Sequence, residues 1–96
     1  MGDMSQFLKN LVEEMTKHQV DKPELVEVSV SVSTKAIIIQ IKVDGSDCGK
    51  IIGKRGRTID CLKTLCLNAK NTKYPDDSRR VMLEVLEDEN SNFSYK

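Results

Sequence analysis

The chain has 96 residues, room for one compact domain and not two. Hydrophobic residues make up 39% and charged residues 31%, a balance that argues for a globular core and against disorder. The net charge is zero, yet it is unevenly spread: residues 1–49 carry −3, residues 50–80 carry +6 and residues 81–96 carry −3. Zero net charge argues against bulk polyanion binding, while the basic middle third leaves room for a local phosphate site. The longest apolar run, Ala36 to Ile39, falls far short of the roughly 20 residues that span a bilayer, so no membrane partner is expected. The opening MGDMSQFLKN has neither a basic region nor an apolar stretch, so no secretory signal is expected. Gln6 stands where myristoylation wants Ser or Thr.

Met4, Phe7, Leu8, Leu11, Val12 and Met15 recur at steps of three and four, which predicts an amphipathic helix ending near His18. Asp3 and Gln6 have the spacing of a capping box. From Leu25 the period changes to two. Val26, Val28, Val30 and Val32 alternate with polar residues and predict a half-buried strand. A turn at Ser33-Thr34-Lys35 leads to a second alternation through Ile37, Ile39, Ile41 and Val43, short enough for a hairpin. A short helical segment, Asp47 to Ile52, runs into Gly53-Lys54-Arg55-Gly56. Ile59, Leu62, Cys66 and Ala69 then mark the face of a longer helix, with its exit marked by Asn68 to Asn71 and Pro75. The stretch from Asn71 to Ser78 reads as a polar loop. Val81, Leu83 and Val85 predict a third strand, and residues 88–96 a short polar tail with Phe93 and Tyr95. The order is helix, strand, strand, helix, helix, strand. It predicts an α+β fold of two layers, with helices on one face of a three-stranded sheet, as a single domain over residues 1–87.

The chemistry concentrates in GKIIGKRGRTIDCLKTL, residues 49–65. Gly53 and Gly56 bracket two cations in a tight joint between helices. Glycine accepts a left-handed backbone there and lets another chain approach closely. The following helix offers unpaired N–H groups and the positive end of its dipole to an anion. Lys50, Lys54, Arg55 and Arg57 add positive charge around that point. Spacing alone does not separate this reading from a glycine joint with solvated charges. Neither G-x-x-x-x-G-K-[ST] nor G-x-G-x-x-G is present, so nucleotide hydrolysis and dinucleotide binding have no support.

Three cysteines, Cys48, Cys61 and Cys66, without a C-x-x-C pair, read as reduced thiols in a cytoplasmic protein. One histidine, His18, leaves metal catalysis without a ligand set, and no cofactor is expected. Asp60 and Cys61 adjoin the motif but point to different sides of a helix, so they are not a catalytic dyad, and no enzyme is expected.

Ile51-Ile52-Gly53-Lys54-Arg55-Gly56, with Ile59 following, resembles the signature of the KH domain. The element order resembles its type II topology, and the whole of about residues 4–87 is similar to the small bacterial KhpA family. That resemblance implies a module for single-stranded RNA. Its G-x-x-G loop would grip about four unpaired nucleotides by their backbone, with the bases in an apolar groove. Carried to this chain, Gly53 and Gly56 permit close approach, Lys54 and Arg55 supply charge, and Ile52 and Ile59 line the groove or simply pack the core. Lys73, Arg79 and Arg80 are candidates for the groove rim, or an ordinary solvated run. No aromatic lies in the motif, so ring stacking is not the main source of affinity. The family implies a post-transcriptional regulator or RNA chaperone. It also implies a homodimer or a pair with a larger, KhpB-like KH protein, a pair associated with cell division and envelope growth. Leu65 is a candidate contact for such a partner. The competing reading is a protein–protein adaptor, which would not need Lys54 and Arg55 beside the glycines. RNA and single-stranded DNA are not separable from the sequence. The long loop before the third strand and the acidic tail depart from the family pattern without touching the motif.

Overall fold

A computed structural model describes residues 3–86. The expected tail from residue 88, with Phe93 and Tyr95, lies outside the described residues, as does the end of the third strand at Glu87.

Helix α1 spans Asp3–Lys17 and buries Met4, Leu8 and Val12, one residue per turn, with Phe7, Leu11 and Met15 flanking the core. The Asp3 side chain of the expected capping box lies outside the described residues. The Gln6 amide donates to Asn10 Oδ1 at 2.9 Å, one turn further on. After Lys17 the chain turns, and Pro23–Leu25 form a single 3-10 turn, so Leu25, where the period-two pattern begins, precedes the strand. Proline favours the first position of such a turn, since its missing N–H has no partner to lose there.

Strand β1 (Glu27–Val32) pairs antiparallel with β2 (Ala36–Lys42), in the register Glu27↔Lys42 through Val32↔Ile37. Ser33 closes the hairpin: its N–H donates to the Ala36 carbonyl at 2.8 Å, and its hydroxyl bonds the Ala36 backbone as well. Strand β3 (Arg80–Leu86) lies on the other side of β2 and runs parallel to it, Ala36↔Arg80 through Lys42↔Leu86. Parallel pairing demands a long crossover. Here the crossover holds helix α2 (Cys48–Ile52), the glycine loop and helix α3 (Arg57–Lys73).

The inner sheet face carries Val28, Ile37, Ile39, Ile41, Val81, Leu83 and Val85. Against it lie Leu8 and Val12 of α1, Ile51 of α2, and Ile59, Leu62 and Cys66 of α3. Each fully buried branched side chain contributes about 1.5–3 kcal/mol. The period-two pattern works along β2 and β3 but fails at one point: Val32, expected inward, is exposed at the hairpin end of β1. The outer face is mixed, with Gln40 donating to Glu84 at 3.1 Å across a directly opposed pair. The architecture is an α+β sandwich, one mixed sheet covered on one face by three helices.

Helix α3 runs past the expected exit to Lys73, so Lys73 sits in its last turn and not in the following loop. Pro75 sets the boundary by forcing Tyr74 out of helical backbone, to φ −135°. The expected fourth residue of its buried face, Ala69, is only half-buried. Lys70 takes that place at 1% exposure. Its apolar stem continues the Ile59, Leu62, Cys66 stripe, and its ammonium donates to the Asp77 carbonyl and to Asn71 Oδ1.

Candidate nucleic-acid interface

The joint between α2 and α3 is built from residues that accept left-handed backbone. Gly53 has φ 75° and ψ 177°, a region open in practice only to glycine. Lys54–Gly56 form one 3-10 turn, in which Arg55 has φ 56° and Gly56 φ 74°. Gly53 N–H donates to the Gly49 carbonyl at 2.8 Å and Gly56 N–H to the Gly53 carbonyl at 3.2 Å. Space is as restrictive as torsion: a Cβ on Gly53 would lie 2.3 Å from Thr58 Oγ1. Arg55 holds a left-handed conformation without being glycine, at a cost of about 1–2 kcal/mol.

The result is a tight, outward loop at the head of a 17-residue helix. Lys54, Arg55 and Arg57 are exposed around the first turn of α3. Neither Lys54 nor Arg55 forms an ion pair among the described residues. A helix start with its positive dipole end, beside cations without carboxylate partners among the described residues, favours a phosphate. Ile52 sits just below the loop at 9% exposure. Ile59, the other residue expected to line a groove, is 1% exposed and belongs to the core. It packs inward because the inner face of α3 is turned to the sheet.

The remaining expected cations separate from the loop. Lys73 follows Arg57 by 16 positions along α3, about 24 Å at the helical rise of ~1.5 Å per residue. Arg80 opens β3 beside the hairpin turn, its N–H donating to the Lys35 carbonyl at 3.2 Å. Arg79 is held by Asp77: its Nε donates to Oδ1 at 3.0 Å and Oδ2 at 3.2 Å, and its Nη1 reaches the Ser33 carbonyl at 3.5 Å. The Asp77 carboxylate also accepts the Arg79 backbone N–H at 3.0 Å. Hydrogen bonds from Arg79 hold the Asp77 carboxyl far below the usual carboxylate range. Lys50, expected beside the loop as a phosphate contact, is paired with Asp21 at 3.1 Å and Asp47 at 3.7 Å. The hydrogen bond to Asp21 raises its pKa above the ordinary lysine value.

Asp47, Thr58, Lys70 and Asp77 gave no functional signal in the sequence. Only the Asp47-x-x-Lys50 spacing hinted at a contact, since residues three apart on a helix are neighbours. None of the three cysteines is in a disulfide among the described residues; Cys61 is exposed and Cys48 and Cys66 are buried. Burial pushes the Cys66 thiol up to about 11. His18 pairs with Glu14 at 3.0 Å, and among the described residues no cluster of side chains is suited to a metal. No helix among them is long and apolar enough to cross a membrane.

A mixed three-stranded sheet with its crossover broken by G-x-x-G at the head of a helix defines a type II KH fold. A model of the KhpA/KhpB KH domain matches residues 9–85, and the chain belongs to that family. It is 39% identical over 85 residues to the RNA-binding protein KhpA of Chlamydia trachomatis, covering 88% of this chain and 99% of that protein. It is 37% identical to the RNA-binding protein KhpA of Clostridium perfringens, over 82% of this chain and all of the relative. With the RNA-binding protein KhpA of Borreliella burgdorferi the identity is 42%, over 80% of this chain and 89% of the relative. No solved structure matches the chain.

Proposed function

We propose that this protein binds single-stranded RNA and that the Gly53–Gly56 loop grips the RNA backbone. The observation that carries this reading is the loop itself. Its two glycines take left-handed backbone, its two cations have no carboxylate partner among the described residues, and it opens onto the start of α3. The names of the relatives, all RNA-binding proteins, favour RNA over single-stranded DNA. Gly53 and Gly56 give clearance, Lys54, Arg55 and Arg57 the charge, and Ile52 the apolar contact. With one small module and no aromatic at the loop, affinity of order micromolar is expected, near −8 kcal/mol. Such a module suits a post-transcriptional regulator or RNA chaperone acting in the cytoplasm. The test is fluorescence anisotropy with a short unstructured RNA, comparing the wild type with Lys54→Asp plus Arg55→Asp. A folded double mutant should lose at least tenfold in affinity; equal binding by both would place the grip elsewhere.

A second reading concerns assembly. Leu65 is 52% exposed on α3, beside a cleft of about 420 Å³ whose lining includes Met15, Cys61 and Leu62. We infer that a second KH chain, a copy of this one or a larger KhpB-like protein, covers this edge. Linked modules would raise the effective concentration of a weak grip. Leu65→Asp should then yield a monomer in analytical ultracentrifugation under conditions where the wild type is dimeric. A wild type that is monomeric alone and with a KhpB-like partner would sink this reading.

A further inference from the structure

Helix α2 has five residues, too few to hold its own direction, because the first turn of a helix costs more than it returns. Something else must aim the loop that follows it. Ile51 and Ile52 anchor one side in the core. On the other side stands Asp47, fully buried immediately before α2. Its Oδ1 accepts the Asp21 N–H at 3.2 Å and its Oδ2 accepts the Lys22 N–H at 3.1 Å. A buried carboxylate is thereby satisfied by backbone 25 and 26 residues away, in the connection that leaves α1. Lys50, one turn along α2, spans the Asp47 carboxylate and the exposed Asp21 carboxylate. Close by, the Asp44 side chain accepts the Ser46 N–H and pairs with Lys22 at 3.7 Å. The link thus ties the connection after α1, the segment after β2 and the start of α2 together, with Lys50 three residues ahead of Gly53.

We propose that the Asp21–Lys50–Asp47 cluster is a brace that positions the Gly53–Gly56 loop, and that Lys50 serves this brace and is not a phosphate ligand. The proposal rests on the RNA-binding reading of the loop. It reassigns the cation nearest the loop in sequence: Lys50 faces two carboxylates, whereas Lys54 and Arg55 face none among the described residues. The two roles differ in salt dependence. Each phosphate contact on a single strand adds about 0.7 to the slope of log affinity against log salt. A positioning residue lowers affinity equally at every salt concentration.

The experiment is anisotropy of a labelled uridine 12-mer across a salt series. It compares the wild type, Lys54→Ala, Lys50→Met, Asp47→Asn and the milder Asp21→Asn, each checked by circular dichroism. Lys54→Ala should flatten the slope by about 0.7. Lys50→Met and Asp47→Asn should keep the wild-type slope and lose roughly three- to tenfold in affinity, with Asp21→Asn losing less. The Asp47 and Lys50 changes shift net charge in opposite directions, so a general field effect would make Asp47→Asn bind tighter. A flattened slope in Lys50→Met, or unchanged affinity in both brace variants, overturns the proposal. If the wild type binds no RNA, the RNA reading fails on its own. The brace is then judged by NMR of the same variants. Faster hydrogen exchange at the Asp21 and Lys22 amides, with shifted Gly53 and Gly56 resonances, upholds the positioning role, and undisturbed resonances overturn it. Should Asp47→Asn fail to fold, Lys50→Met and Asp21→Asn carry the same comparison.

Discussion

The two ends of α3 carry the same residue types and put them to opposite use. At its start, Lys54 and Arg55 project from a left-handed loop without carboxylate partners among the described residues. At its end, Lys70 is buried on the Asp77 carbonyl, and Arg79 is clasped by the Asp77 carboxylate. A cation surrounded by its own chain's acceptors has its hydrogen-bonding capacity already spent. A cation beside glycines and a helix start, with no carboxylate of its own among the described residues, keeps that capacity for an outside acceptor, as the proposed grip on a phosphate requires. Charge density along the sequence is therefore a poor guide to a site, and the local supply of acceptors is a better one.

That contrast can be broken most forcefully at Gly53. Gly53→Ala combines a backbone region closed to alanine with a Cβ 2.3 Å from Thr58 Oγ1. A loss of about 2–3 kcal/mol in urea denaturation is expected, together with a loss of RNA affinity exceeding tenfold. A stable, fully binding variant would mean the loop is not fixed as described. At the other end, Lys70→Met keeps the apolar stem and removes the ammonium, leaving the Asp77 carbonyl without its donor. Here the expected cost is about 1–3 kcal/mol of stability with RNA affinity unchanged. Weaker RNA binding by a folded Lys70→Met would erase the distinction between the two ends.

Arg79→Ala is the smallest perturbation and sharpens the comparison through pH. The Asp77 carboxyl is held below its ordinary value in the folded chain, chiefly by hydrogen bonds from Arg79. The associated stability is complete above the unfolded aspartate pKa of about 3.9 and is lost as pH falls toward the lower folded value. Wild type and Arg79→Ala should therefore differ most in urea midpoint at neutral pH and converge below about pH 4. The variant should keep the wild-type salt slope for RNA. A flattened slope would return Arg79 to the interface.

The β2 and β3 strands were legible because each inward residue is aliphatic and the period is strict. The glycine loop was legible because Gly53 and Gly56 are demanded by torsion and space, which few residue types satisfy. What escaped was set by tertiary partners. Lys50 looked like part of a basic cluster until Asp21 and Asp47 were placed beside it. Lys70 looked like a surface lysine because its acceptor, the Asp77 carbonyl, carries no side-chain signature. Ile59 lay on the boundary between groove and core, and only the packing of α3 on the sheet put it inside. Val32 followed the strand pattern beyond the reach of the helices that cover the other valines.

The parallel pairing of β2 and β3 has a consequence for the order of folding. The β1–β2 hairpin joins near neighbours, and such units form in about 1–10 μs. Strand β3 can join β2 only after the chain from residue 43 to residue 79 has been looped back. That closure carries an entropic cost before any contact repays it, which places it late. The GKRG segment lies inside the closing loop. Until β3 docks, α3 lacks part of the sheet face it packs on. Acquisition of RNA binding in a refolding experiment should accordingly coincide with the final kinetic phase.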